Sequence, residues 1–223
     1  MKFENVRTVI WDCDGTIWSH SPDEIYIFAK EMNVTSSEMI SRLNEEFFKA
    51  ISVFHKRFLN EIVTHEGIIE VIDENMPILK ILNMTARDFF ELWKNIDTTT
   101  VSPYVDLCMK SLHARGISNI VCTDWLKDSQ VRLLSKYNLL QYIDEIYTCE
   151  GFYLKSSSKN PPERIIRQDC KDSYLLIGDS ANDMNFAQKI GIKFVWFNPS
   201  GKIDEAMNST LEISSFQTLK DYF

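Results

Sequence analysis

The sequence predicts an α/β fold, a doubly wound parallel sheet with an all-helical segment inserted after its first strand. Three observations predict it. The apolar runs at 6–11, 119–122 and 174–177 show little alternation of polar and apolar residues, the pattern of central parallel strands covered on both faces. Beyond residue 100, such runs alternate with helical periodicity, as βαβ units require. Between about 22 and 96 only helical patterns occur. The 223 residues therefore divide into a sheet-bearing part, 1–19 and 98–223, and a helical insertion, 20–97.

Each element has a local reason. Residues 6–11 end abruptly at Asp12 and Asp14. Ser21, Pro22 and Glu24 then read as a helix start with a capping box, and Ile25, Phe28, Ala29 and Met32 fall on one face. Thr35 with Glu38 suggests a second box, opening a long helix striped with Ile40, Leu43, Phe47, Ala50, Ile51 and Phe54. A shorter helix covers 68–72. Thr85 with Asp88 opens another, carrying Phe89, Leu92, Trp93 and Ile96 on one face. Residues 98–103 read as a polar, β-branched linker. A helix over 104–115 turns Val105, Leu107, Cys108 and Leu112 inward and ends at Gly116. The strand at 119–122 ends in Thr123 and Asp124. A helix over 129–137, a short strand at 145–148, a Ser/Lys-rich loop at 155–160 and a short helix opened by Pro161 and Pro162 follow. The strand at 174–177 runs into Gly178-Asp179-Ser180-Ala181-Asn182-Asp183. A helix ending at Gly191, a strand at 194–197, an edge strand at 211–213 and a final helix near Phe216 complete the chain.

Composition excludes several classes. A net charge of −8 argues against a nucleic-acid backbone as the main partner. The five cysteines form no CxxC pair and suit a reducing compartment. Residues 1–7 carry no apolar signal core, and no later stretch approaches a membrane span, so the expected location is cytoplasmic, with no membrane partner.

In open α/β sheets, ligands collect at the carboxyl ends of the strands. Here those ends carry Asp12 and Asp14, then Thr123, then Asp179 and Asp183. One such carboxylate is readily a helix N-cap. Four on one rim raise each other's pKa unless a cation neutralises them, and an all-oxygen set selects a hard divalent ion, Mg²⁺ before others.

Asp12-Cys13-Asp14-Gly15-Thr16 resembles the DxDGT first motif of the haloacid dehalogenase (HAD) superfamily, and Gly178-Asp179-Ser180-Ala181-Asn182-Asp183 its GDxxND fourth motif. Val121-Cys122-Thr123 resembles the second, an apolar strand ending in a hydroxyl. Lys159 ahead of Pro161, Pro162 and Glu163 resembles the third, a lysine before a short helix; Lys155 lies close by and is the alternative, although a solvated loop position is the commoner fate of a lysine. The resemblance implies a Rossmann-like core with a C1-type helical cap. It implies Asp12 as nucleophile towards a phosphomonoester and Asp14 as acid and base. Mg²⁺ would be held by the Asp12 carboxylate, the Asp14 backbone carbonyl and Asp179, with Asp183 beside it. The Thr123 hydroxyl, the Asp124 backbone N–H and Lys159 would hold the phosphoryl group. Asp14 points to a phosphatase, since the dehalogenases of the superfamily lack this second aspartate.

The expected substrate is a small phosphorylated metabolite. A phosphomutase acting on a sugar phosphate is the alternative, and a catalytically idle binding protein a third reading. His20, Arg42, Asn44, His55, Lys56, Arg57, His65 and Arg87 are candidate substrate contacts in the insertion, although charged helix faces and single histidines more often serve structure. Trp18 and Phe47 could line the pocket or belong to the core.

Overall fold

The computed structural model describes residues 2–159, 164–204 and 206–223. Strand β1 (Thr8–Trp11) leads into a short strand β2 (Trp18–His20). Helices α1 (Glu24–Glu31), α2 (Ser37–Phe58), α3 (His65–Asn75), α4 (Ile78–Ile81) and α5 (Ala86–Asn95) form the insertion, and β3 (Thr99–Val101) brings the chain back. Then follow α6 (Val105–Ala114), β4 (Ser118–Cys122), α7 (Lys127–Lys136), β5 (Glu145–Tyr147), β6 (Tyr174–Gly178), α8 (Ala181–Ile190), β7 (Lys193–Phe197) and β8 (Leu211–Ile213).

Six strands form one parallel sheet in the order β5-β4-β1-β6-β7-β8. The first strand lies in the middle, with Trp11 opposite Val121 on one side and Ile177 on the other. This register brings the ends of β1, β4 and β6 to one rim. The strands are apolar on both faces because both faces are covered. Val9, Trp11, Val121, Leu175 and Ile177 pack on one side; Ile10, Ile120, Leu176, Phe194 and Trp196 pack on the other. The insertion has a third core around Phe28, Phe47 and Phe89, whose ring centroids lie 5.4–6.0 Å apart. Among the described residues, no helix is long and apolar enough to cross a membrane.

Several local expectations change. Residues 99–101 are no linker. They pair antiparallel with 18–20, so a two-stranded ribbon carries the chain out to the insertion and back. The β-branched run is strand composition, but its partner lies some 80 residues away and neither piece exceeds three residues. Ser21 does not cap α1: Asp23 occupies the cap position without a side-chain bond, and Glu24 accepts a hydrogen bond from the Thr98 hydroxyl at 3.0 Å. Ser36, rather than Thr35, caps α2, whereas the Thr85–Asp88 box is present. Leu107 is 56% exposed, unlike its buried neighbours Val105, Cys108 and Leu112. The final turn is a 3-10 helix at Leu219–Tyr222. The helix start expected at Pro161 and Pro162 lies outside the described residues.

One buried polar side chain fixes the centre of the sheet. Asn119 is fully buried; its Oδ1 accepts from Trp11 Nε1 at 3.0 Å, and its Nδ2 donates to the carbonyls of Met109 and Tyr142 at 3.2 and 3.1 Å. Replacing it with leucine leaves the buried indole N–H and the Tyr142 carbonyl without that partner, each costing about 1–3 kcal/mol, whereas the Met109 carbonyl lies within α6. Asn119→Leu is expected to lose about 3 kcal/mol in urea unfolding at an unchanged slope. A loss below about 1 kcal/mol contradicts this role for Asn119.

Candidate active site

Asp12 continues the central strand, its N–H donating to the Ile177 carbonyl at 2.9 Å, and its side chain is buried. The chain then turns tightly. The Cys13 carbonyl accepts from the N–H groups of Thr16 and Trp18 at 3.1 and 3.2 Å, and Gly15 N–H donates to the Trp18 carbonyl at 2.7 Å. Gly15 has φ +88°, and a Cβ there would lie 2.2 Å from Asp179 Oδ2. Only glycine lets this turn press against the Asp179 carboxylate. Cys13, between the two aspartates, is buried in the sheet core.

Asp183 is both helix cap and site residue. Its Oδ2 accepts from Ser180 N–H at 3.2 Å, half of a capping box that starts α8, while its Oδ1 faces the rim. Gly178 permits this, because a Cβ there would lie 2.5 Å from the Asp183 Cβ. Carboxylate oxygens of Asp12, Asp179 and Asp183 lie within 4.8 Å of one another. Burial first, and then the Asp183 charge, push the Asp12 pKa well above the usual carboxylate value. The same two causes, in the same order, raise Asp179 to about 6.

The lysine beside these carboxylates is Lys155. Its Nζ lies 2.5 Å from Asp12 Oδ1 and 2.6 Å from Asp183 Oδ1, and its backbone N–H donates to Asp124 Oδ1 at 2.6 Å. Burial opposes the ammonium, but Asp12 and Asp183 outweigh it and hold the Lys155 pKa well above normal. Lys159 is directed elsewhere. Its Nζ donates to the Asn60 carbonyl at 2.9 Å and sits 5.8 Å from the Tyr153 ring centre. The structure thus brings Lys155, and not Lys159, to the carboxylates. Leu154, fully buried in the insertion's core, pulls its neighbour inside, whereas four residues later the chain is at the surface. That apolar neighbour was the available signal; the two prolines that favoured Lys159 lie outside the described residues.

Thr123 follows β4, buried, with its N–H on the Tyr147 carbonyl at 3.0 Å. Neither its hydroxyl nor the Asp124 backbone N–H has a hydrogen-bond partner among the described residues. The Asp124 side chain has more to do than expected, since it clamps the backbone of Lys155.

Asp14 lies beside the ribbon. Its Oδ1 accepts from Trp18 Nε1 at 2.9 Å and meets His20 Nε2 at 3.0 Å; Oδ2 has no partner among the described residues. His20 Nδ1 in turn lies 3.0 Å from the Thr98 hydroxyl and 3.3 Å from Glu24 Oε1. Burial works against charging either group. The bond from His20, its charge and the Trp18 bond nevertheless hold Asp14 below its usual value, and Asp14 and Glu24 raise His20 to about 10. Trp18 thus belongs to both core and site. Phe47 belongs to the core, 5.1 Å from Trp93.

A cleft of about 340 Å³ separates the rim from the insertion. Of the candidate contacts, His20 and His55 line it, and Asn44 lines a neighbouring one. Arg42 pairs with Glu46, Arg57 with Glu61 and Glu70, and Arg87 with Glu66; His65 lies 2.8 Å from Glu150, and Lys56 is exposed. The cleft accordingly brings together a buried carboxylate, a second carboxylate with one free oxygen, an ammonium and a set of converging carboxylate oxygens.

None of the curated proteins compared with the chain matches it. The sequence model of the haloacid dehalogenase-like hydrolases matches residues 9–197. Among solved structures, the magnesium-bound YfnB of Bacillus subtilis, named as a HAD-hydrolase, superposes with a TM-score of 0.66 at 19% identity, covering 97% of this chain and 98% of that one. A HAD phosphatase from Thermococcus onnurineus gives 0.60 at 17%, covering 97% of each chain. A 2-haloacid dehalogenase from Pseudomonas syringae pv. Tomato DC3000 gives 0.66 at 18%, again covering 97% of each. These similarities show the shared fold, and the sequence match across the two aspartate-bearing strands shows the family: the chain belongs to the haloacid dehalogenase-like hydrolases.

Proposed function

We propose that the chain is a Mg²⁺-dependent phosphatase that hydrolyses a small cytosolic phosphomonoester through an aspartyl-phosphate on Asp12. The observation that carries this reading is the carboxylate of Asp14, pinned through one oxygen by Trp18 and His20 and free at the other. A halide leaves without a proton; an alkoxide leaving from phosphorus needs one. A positioned second carboxylate therefore favours ester hydrolysis over dehalogenation.

The roles follow from placement. An Asp12 oxygen attacks phosphorus, the bond from phosphorus to the ester oxygen breaks, and Asp14 protonates that oxygen. Asp14 and His20 hold a proton between them, and an incoming phosphoryl dianion raises the affinity of Asp14 for it. A water then attacks the phosphorus, Asp14 takes its proton, and the bond to Asp12 breaks to release phosphate. Lys155 offsets the charge gathered on Asp12 and the phosphoryl oxygens. The Thr123 hydroxyl and the Asp124 N–H are donors for those oxygens. The donor set fits a hard cation: three converging carboxylates, and an Asp14 backbone carbonyl that accepts no hydrogen bond among the described residues. Mg²⁺ held by Asp12, the Asp14 carbonyl and Asp179, with Asp183 beside it, would supply the positive charge that lets an anionic nucleophile meet an anionic phosphate.

Phosphate release from p-nitrophenyl phosphate tests the reading. It should require Mg²⁺, stop with EDTA and fall at least about 1,000-fold in Asp12→Asn. Equal turnover by that variant, or chloride release from 2-chloropropionate in place of phosphate release, overturns it. The two lysines give a second test on the same substrate. Lys155→Met should cost about 100-fold or more in kcat, as loss of one electrostatic partner does, and Lys159→Met less than about threefold. The reverse order would return the role to Lys159.

A further inference from the structure

Away from the carboxylates, the cleft changes character. Its wall there is aromatic: Trp93 of α5 and Trp125, ahead of α7, stand with ring centroids 4.3 Å apart, and Phe54 of α2 meets Trp125 edge-on at 6.1 Å. Gln130 of α7 lines the same cleft. It is fully buried, and neither its amide N–H₂ nor its C=O has a hydrogen-bond partner among the described residues. Arg132 also lines it. Its NH2 donates to the carbonyls of Lys94 and Ile96 at 3.3 and 3.2 Å, and its buried Nε has no partner among the described residues. Ser129 Oγ donates to the Lys94 carbonyl at 3.0 Å. These bonds tie α7 to the end of α5, so the backbone that carries Gln130 is held at a set place relative to the backbone that carries Trp93.

A primary amide that is buried with both ends unpaired costs about 1–3 kcal/mol per group. That cost is recovered when a ligand brings the complementary edge, and a site with such an edge discriminates strongly against molecules that lack it. Aromatic side chains beside it favour a flat ring, which stacks with little regard to its substituents. At about 340 Å³ the cleft is near the lower end of ligand pockets, roughly 300–1,000 Å³, and so suits one ring better than two fused ones.

We infer that the leaving group of the substrate carries a single planar heteroaromatic ring with an amide or imide edge, stacked against Trp93 and Trp125 and paired with the Gln130 amide. Gln130 is a specificity residue in this account, and the Arg132 Nε–H is a further donor for a ring carbonyl. The inference rests on the phosphomonoesterase reading of the same cleft, and it gives that reading a substrate class.

Uridine 5′-monophosphate, which has a ring with an imide edge, and glycerol 3-phosphate, which has neither, are esters of similar intrinsic reactivity. With Mg²⁺ present, kcat/KM for the nucleotide should exceed that for glycerol 3-phosphate at least tenfold. Gln130→Met should cost the nucleotide about tenfold, chiefly in KM, the scale of one or two lost hydrogen bonds. The nucleotide's loss should exceed that of p-nitrophenyl phosphate, which has a ring without the edge, at least about fivefold. Equal use of the nucleotide and glycerol 3-phosphate by the wild type overturns the inference, as does a Gln130→Met loss shared by all three substrates. Should no substrate release phosphate, the phosphomonoesterase reading fails, and titration calorimetry on Asp12→Asn decides the inference by itself. Nucleotide binding at least tenfold tighter than glycerol 3-phosphate sustains it, and equal or absent binding overturns it.

Discussion

Burying two carboxylates side by side at the end of a sheet costs several kcal/mol per ion unless an opposite charge reaches them. In this chain Lys155 reaches them, with its ammonium between Asp12 and Asp183. Much of the surrounding structure serves that contact. Gly178 lets Asp183 approach β6, the capping box occupies the second Asp183 oxygen, and the Asp124 carboxylate fixes the Lys155 backbone. A site so assembled has several acidic groups converging on one ammonium, and burial keeps the pKa of Asp12 and of Asp179 high. The imbalance is what suits the cleft to gather further positive charge and then an anion.

The second constraint is the ribbon. Because β2 and β3 pair, the chain leaves the sheet and returns at the same place, and His20 and Thr98 meet across that crossing. Asp14 bonds to His20, which lies against Thr98 and Glu24, the first residue of α1. The carboxylate assigned to proton transfer thus connects through three side chains to the start of the helical insertion. Asp14 is therefore held from the ribbon and the start of the insertion, whereas Asp12 is held by its backbone bond to Ile177.

The sheet was legible in the sequence because its strands are buried on both faces. The runs ending in Asp12, Thr123 and Asp179 carry an unmistakable apolar signature, and strand ends in open parallel sheets are where ligands gather. The helices of the insertion were legible from their stripes. The less legible parts depend on contacts distant in sequence. A three-residue strand has no period of its own, and what makes residues 99–101 a strand is the pairing with 18–20. Lys155 and Lys159 are chemically alike, and in the sequence their one local difference is the apolar neighbour Leu154, which the fold buries. His20 was one of eight polar candidates in the insertion, and nothing local distinguished it from Arg57 or Arg87, which pair with surface glutamates. Gln130 is silent in the sequence because its significance lies in having no partner within the fold.

The central claim is that Asp12 is the carboxylate that receives the phosphoryl group, with Lys155 beside it. Beryllium fluoride, which adds to such a carboxylate as a phosphoryl mimic, tests this without knowledge of the substrate. In the presence of Mg²⁺ the wild type should show a bound-fluoride signal by ¹⁹F NMR, and that signal should vanish in Asp12→Asn. A signal that survives in Asp12→Asn, or a wild type that forms no adduct, would contradict the assignment of Asp12.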